Sequence, residues 1–72
     1  MKKIMMVIKR KCNYGNDGGF YFKDKEGKMY YWSNSSDKVY EQLDKGTKKE
    51  FTFEETGEKV ANAMVIQNVS WE

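Results

Sequence analysis

Two aromatic runs joined by a four-residue turn constrain this chain more than any other feature: Gly19-Phe20-Tyr21-Phe22-Lys23, then Asp24-Lys25-Glu26-Gly27, then Lys28-Met29-Tyr30-Tyr31-Trp32. Asp suits the first position of a type I turn, and Gly suits the left-handed position that closes such a turn as a G1 bulge. The pattern predicts a β-hairpin whose turn sets the register, with Phe22 opposite Tyr30, Tyr21 opposite Tyr31 and Phe20 opposite Trp32. Side chains alternate faces along a strand, so Phe20, Phe22, Tyr30 and Trp32 share one side while Tyr21, Lys23, Met29 and Tyr31 share the other. The first set carries no charge and is expected to face the core. The second set has a lysine beside two tyrosines and is expected to face water or a ligand.

The rest of the chain can be read outward from that hairpin. Residues 2–11 alternate Ile4, Met6 and Ile8 against Met5, Val7 and Lys9, which is strand periodicity with both faces partly apolar. Residues 13–19, rich in Asn and Gly, read as a loop. Ser33 to Ser36 offer helix caps, and Val39, Tyr40 and Leu43 follow at helical spacing, which predicts a short helix over residues 37–45 stopped by Gly46. Alternation returns at residues 48–54, placing Phe51 and Phe53 inward. Glu55-Thr56-Gly57-Glu58 reads as a second turn, and residues 60–71 as a long last strand that sets Ala61 and Ala63 near Phe51 and Phe53. Residues 1–72 thus form one domain with no repeat or linker.

The order strand, hairpin, helix, hairpin resembles the OB fold (oligonucleotide/oligosaccharide-binding), a five-stranded barrel with a short helix between strands three and four. An SH3-like barrel is the rival architecture. The stretch from Gly19 to Gly27, followed by Met29-Tyr30-Tyr31-Trp32, is similar to the central hairpin of small OB-like domains in bacteriophage and bacterial replication or repair proteins. The resemblance implies a mainly β fold and binding of single-stranded DNA or RNA.

Composition narrows the chemistry. The chain has no His and a single cysteine, Cys12, so a nucleophile paired with an imidazole base is absent and no metal or cofactor is expected. The glycines at 15, 18 and 19 lack phosphate-loop spacing, and no motif pairs carboxylates for acid–base work. The expectation is a binding domain rather than an enzyme. Lys2 and Lys3 precede an apolar run of only five residues, shorter than a signal or membrane-spanning segment, so no membrane partner and a cytoplasmic location are expected.

Charge is unevenly spread: residues 1–49 carry a net +6 and residues 50–72 a net −4, for a total of +2. Single-stranded nucleic acid needs aromatic rings for stacking and cations for phosphates. Tyr21 and Tyr31 are the candidate platform. Lys23, Lys25 and Lys28 surround the hairpin turn, Lys9 and Lys11 extend the charge along the first strand, and Tyr14 reaches from the loop. A cross-strand tyrosine pair that merely stabilises the sheet is the competing reading. The alternative function is a phage-type protein-interaction module or inhibitor binding a host or replication protein, in which Glu50, Glu54, Glu55 and Glu58 face a basic partner. Self-assembly through the edges of strand one or five is a third possibility.

Overall fold

A computed structural model describes residues 1–11 and 18–72 of the chain; Cys12 and Tyr14 lie outside the described residues. The elements are β1 (Lys2–Lys11), β2 (Gly19–Asp24), β3 (Met29–Ser33), α1 (Asp37–Gln42), β4 (Lys48–Val60) and β5 (Ala63–Trp71). The fold is mainly β, with one short helix between the third and fourth strands.

The β2–β3 hairpin has the register expected from its turn, pairing Phe22 with Tyr30, Tyr21 with Tyr31 and Phe20 with Trp32. Gly27 takes φ +87°, the left-handed conformation the bulge requires. The Asp24 carboxylate pins the turn from inside, because its Oδ1 accepts the backbone N–H groups of Glu26 and Lys28, both at 2.9 Å. A side chain that satisfies two turn amides makes the hairpin less dependent on its neighbours.

The strands close into a ring in the order β1-β2-β3-β5-β4. All contacts are antiparallel except β3 with β5, which run parallel through Tyr30–Met64 and Tyr31–Val65. β1 serves two neighbours in turn, pairing with β4 over Lys2 to Met6 and with β2 over Met5 to Lys11. Its alternation resolves with Met5 and Val7 inward and fully buried. The register with β2 shifts between Val7 and Lys9, which leaves Ile8 as the extra residue of a bulge. Since β1 and β5 each have a neighbour on both sides, neither offers the full-length free edge that edge-to-edge self-assembly would use.

Inside the ring, Phe20, Phe22, Tyr30, Phe51 and Phe53 are buried together with Met5, Val7, Leu43 and Ile66. Burying each such side chain is worth about 1.5–3 kcal/mol, so a chain this short rests on its few large residues. The helix lays Leu43 into this core, with Val39 and Tyr40 packed against it. It is shorter than the sequence spacing predicts, ending at Gln42. The residues that follow are claimed by β1: Gly46 N–H donates to the Val7 carbonyl at 2.7 Å, and Val7 N–H donates to the Thr47 carbonyl at 2.8 Å. Gly46, at φ +94°, makes the turn this requires.

The second turn falls elsewhere than the sequence suggests. β4 runs straight through Glu55-Thr56-Gly57-Glu58 and ends at Val60, which pairs with Ala63. The two-residue connection is Ala61-Asn62, both left-handed at φ 49° and 67°, as a type I′ turn demands. Gly57, at φ +88°, sits where the β4–β5 register shifts between Glu55 and Lys59, so it marks a bulge rather than a hairpin tip. Ala63 is buried as expected, whereas Ala61 is exposed in the turn and does not pack on Phe51 or Phe53.

Candidate nucleic-acid interface

Pairing places Lys9 of β1, Tyr21 of β2 and Tyr31 of β3 in one row on the outer face of the ring. The two tyrosine rings lie 4.8 Å apart at a 46° tilt. Lys9 Nζ stands 5.8 Å from the Tyr21 ring centre, and Lys11 Nζ stands 5.6 Å from that of Tyr31. The site is thus an alternation of ammonium groups and π-faces held by strand register.

The two tyrosines are not equivalent. Tyr31 is only 8% exposed because its ring lies across Gly19, where a Cβ would come within 2.6 Å of its Cε1 atom. Tyr21 is half-buried and is the ring that faces solvent. Tyr31 therefore acts as the floor against which Tyr21 is set.

Beside Tyr21 is an apolar recess of about 210 Å³ lined by Ile8, Lys9, Tyr21, Met29 and Ala61. The tip of the β4–β5 hairpin contributes Ala61 to it, and the β1 bulge contributes Ile8. Met29 lies on the face the hairpin register assigned to it, whereas Ile8 and Ala61 were not apparent as site residues from the sequence. Ala61 enters only because the hairpin extends to residue 62, and Ile8 lines the recess as the unpaired residue of the bulge that sets Lys9 opposite Tyr21.

Charge on this side of the ring is almost all of one sign. The strands β1, β2 and β3 carry six basic residues and one acid, Asp24. Asp24 is buried, and its Oδ2 accepts from Lys3 Nζ at 3.3 Å, so it projects little negative field. Burial by itself pushes the Asp24 carboxyl up, but the Lys28 amide, the Lys3 ammonium and the Glu26 amide together hold it below its ordinary value. Lys3 is in turn raised, first by the Tyr30 hydroxyl and then by Asp24.

The remaining candidates distribute as follows. Lys23 is exposed on the outer face, opposite Met6 on one side and Met29 on the other. Lys25 is exposed in the hairpin turn. Lys28 points away from the tyrosine row, with Nζ 5.5 Å from the ring centre of Tyr30, whose side chain belongs to the core. Tyr14 falls outside the described residues. Trp32 and Trp71 meet edge to face at 6.0 Å, half-buried over the core, and the Trp71 indole N–H donates to Gln42 Oε1 at 3.2 Å.

Among the described residues no cluster of three or more His, Cys, Asp or Glu side chains could hold a metal ion. None of the described helices is long and apolar enough to cross a membrane. Comparisons of this chain with protein-family models, with curated proteins and with solved structures find no match.

Proposed function

We propose that the chain is an OB-type domain that binds single-stranded nucleic acid across the outer face of β1, β2 and β3, without catalysis. The fold half of this reading is supported by the ring order β1-β2-β3-β5-β4, the parallel β3–β5 contact and the helix between β3 and β4. OB folds take ligands on the face of strands two and three, between the loops that follow strands one and four. The recess at Tyr21 lies on that face, with Ala61 from the β4–β5 turn at its edge.

The observation that carries the functional half is the row Lys9–Tyr21–Tyr31 with Lys11 above it, on strands whose only acid is buried and paired. A base stacked on Tyr21 gains about 1–3 kcal/mol, and Lys9, Lys11 and Lys23 supply charge for neighbouring phosphates. Stacking and charge are tolerant of sequence, so a general single-strand binder is the class this chemistry fits.

Fluorescence anisotropy with a labelled oligothymidylate, repeated over a range of salt, tests the reading. Three neutralised phosphates give a slope of log K against log salt of about −2. Tyr21→Ala is expected to weaken binding about 5- to 150-fold while the domain stays folded. Binding that survives Tyr21→Ala and a Lys9→Gln/Lys11→Gln variant unchanged, or that is no tighter than to heparin, overturns the proposal.

A further inference from the structure

We propose a second interaction surface, on the outer face of the first half of β1, that docks an acidic amphipathic segment of a partner protein. It does not rest on the nucleic-acid reading. Ile4 and Met6 stand in solvent at 51% and 40% exposure, on the side of β1 opposite the buried Met5 and Val7. Strand pairing sets Met6 between Lys23 of β2 and Lys48 of β4. A recess of about 170 Å³ opens there, lined by Ile4, Met5, Met6, Lys23, Asp24, Lys25 and Lys48.

The lining divides by chemistry. Ile4 and Met6 make an apolar floor, and Lys23, Lys25 and Lys48 make a basic rim. Asp24 does not neutralise that rim, because its carboxylate already serves two turn amides and Lys3. Among the described residues none of the three rim lysines forms an ion pair. Glu50 pairs directly opposite Ile4, and with Glu26 it borders the adjoining recess that shares Ile4 and Lys25, so the rim is most purely basic at Lys23 and Lys48, on either side of Met6.

An exposed apolar spot with a polar rim marks an interaction site. Its occupant follows from charge complementarity. The recess has the dimensions of one leucine- or phenylalanine-sized side chain, and the rim calls for carboxylates on either side of it. A nucleic-acid strand would satisfy the lysines and leave Ile4 and Met6 in water, since the recess holds no aromatic ring to stack on. A segment alternating acidic and bulky apolar residues satisfies both parts.

Amide chemical shifts of the 15N-labelled chain, titrated with a synthetic twelve-residue peptide alternating Glu and Leu, provide the test. Saturable shifts are expected at Ile4, Met6, Lys23, Lys25 and Lys48. Affinity should fall at least tenfold in Ile4→Ser/Met6→Ser and in Lys23→Gln/Lys48→Gln, and stay unchanged in Tyr21→Ala. Equal binding of a control peptide with Ser in place of Leu would reduce the effect to bulk charge and overturn the proposal. So would shifts centred on Tyr21 and Lys9, or anionic vesicles displacing the peptide from this surface. Shifts at Ile4 and Met6 on simple dilution of the free protein would assign the surface to a second copy and equally overturn it.

Discussion

Replacing Gly19 with Ala tests how the tyrosine row is built. A Cβ at Gly19 would sit 2.6 Å from Cε1 and 2.7 Å from Cζ of Tyr31. The backbone has little room to retreat, because Gly19 pairs with Lys11 and Ser33 and donates its N–H to the Tyr40 hydroxyl at 2.9 Å. The Tyr31 ring must therefore swing off the sheet. Tyr31 is 8% exposed in place. Returning on the order of 100 Å² of ring to water costs about 2.5 kcal/mol at roughly 25 cal/mol per Å². Loss of the packed ring pair with Tyr21 adds about 0.5–1.5 kcal/mol. Ala also restricts the unfolded chain, which returns about 0.4–1 kcal/mol. The net expectation is a loss of about 2–3.5 kcal/mol, read from urea denaturation followed by tryptophan fluorescence. A double-mutant cycle isolates the cause, since Gly19→Ala should cost nothing in a Tyr31→Ala background. An equal loss in both backgrounds would refute the reasoning.

Three further outcomes follow from the same geometry. Asp24→Ala should cost about 2–3 kcal/mol in urea denaturation at neutral pH by orphaning turn amides, and Asp24→Asn less, since its amide oxygen can still accept them. Because folding lowers the Asp24 pKa below its ordinary 3.8, its contribution is present in full above that value and fades as pH falls through the lower folded value, so the gap between wild type and Asp24→Asn should close at acid pH. Leu43→Ala, which empties a fully buried position at the helix C-cap, should cost about 2–5 kcal/mol by thermal or urea unfolding. Ala61→Gly should stabilise the domain by about 1 kcal/mol, because Ala is strained at φ 49°, and a raised melting temperature would report it.

The hairpin was legible because its turn residues specify their own conformation. Asp24 and Gly27 set the register, and the register sorts Phe20, Phe22 and Tyr30 from Tyr21 and Lys23 without any tertiary information. The β4–β5 connection was not legible, because Gly57 carries the stronger local turn signal and Ala is a poor left-handed residue. Pairing of Val60 with Ala63 overrode local preference, and the displaced glycine was used for a bulge. Alternation also fails at irregularities: it set Lys9 on the face of Met5 and Val7, and only the bulge at Ile8 brings Lys9 beside Tyr21. The burial of Tyr31 depends on its diagonal neighbour being Gly19, a contact between strands that spacing along one strand does not reveal. Likewise, the sequence left both faces of the first strand open, and only ring closure decided that Ile4 and Met6 face outward.

The most direct measurement of the central claim is photocrosslinking of the domain to a single strand carrying 5-iodouracil, with the adducted residue identified by mass spectrometry. A base stacked on the exposed ring of the outer face should crosslink to Tyr21, with the yield falling as salt rises. Tyr21→Phe keeps the ring and should therefore retain crosslinking, while Tyr21→Ala should abolish it. Adducts confined to Trp32 or Trp71, or yields equal in wild type and Tyr21→Ala, would contradict a single-strand interface on β1, β2 and β3.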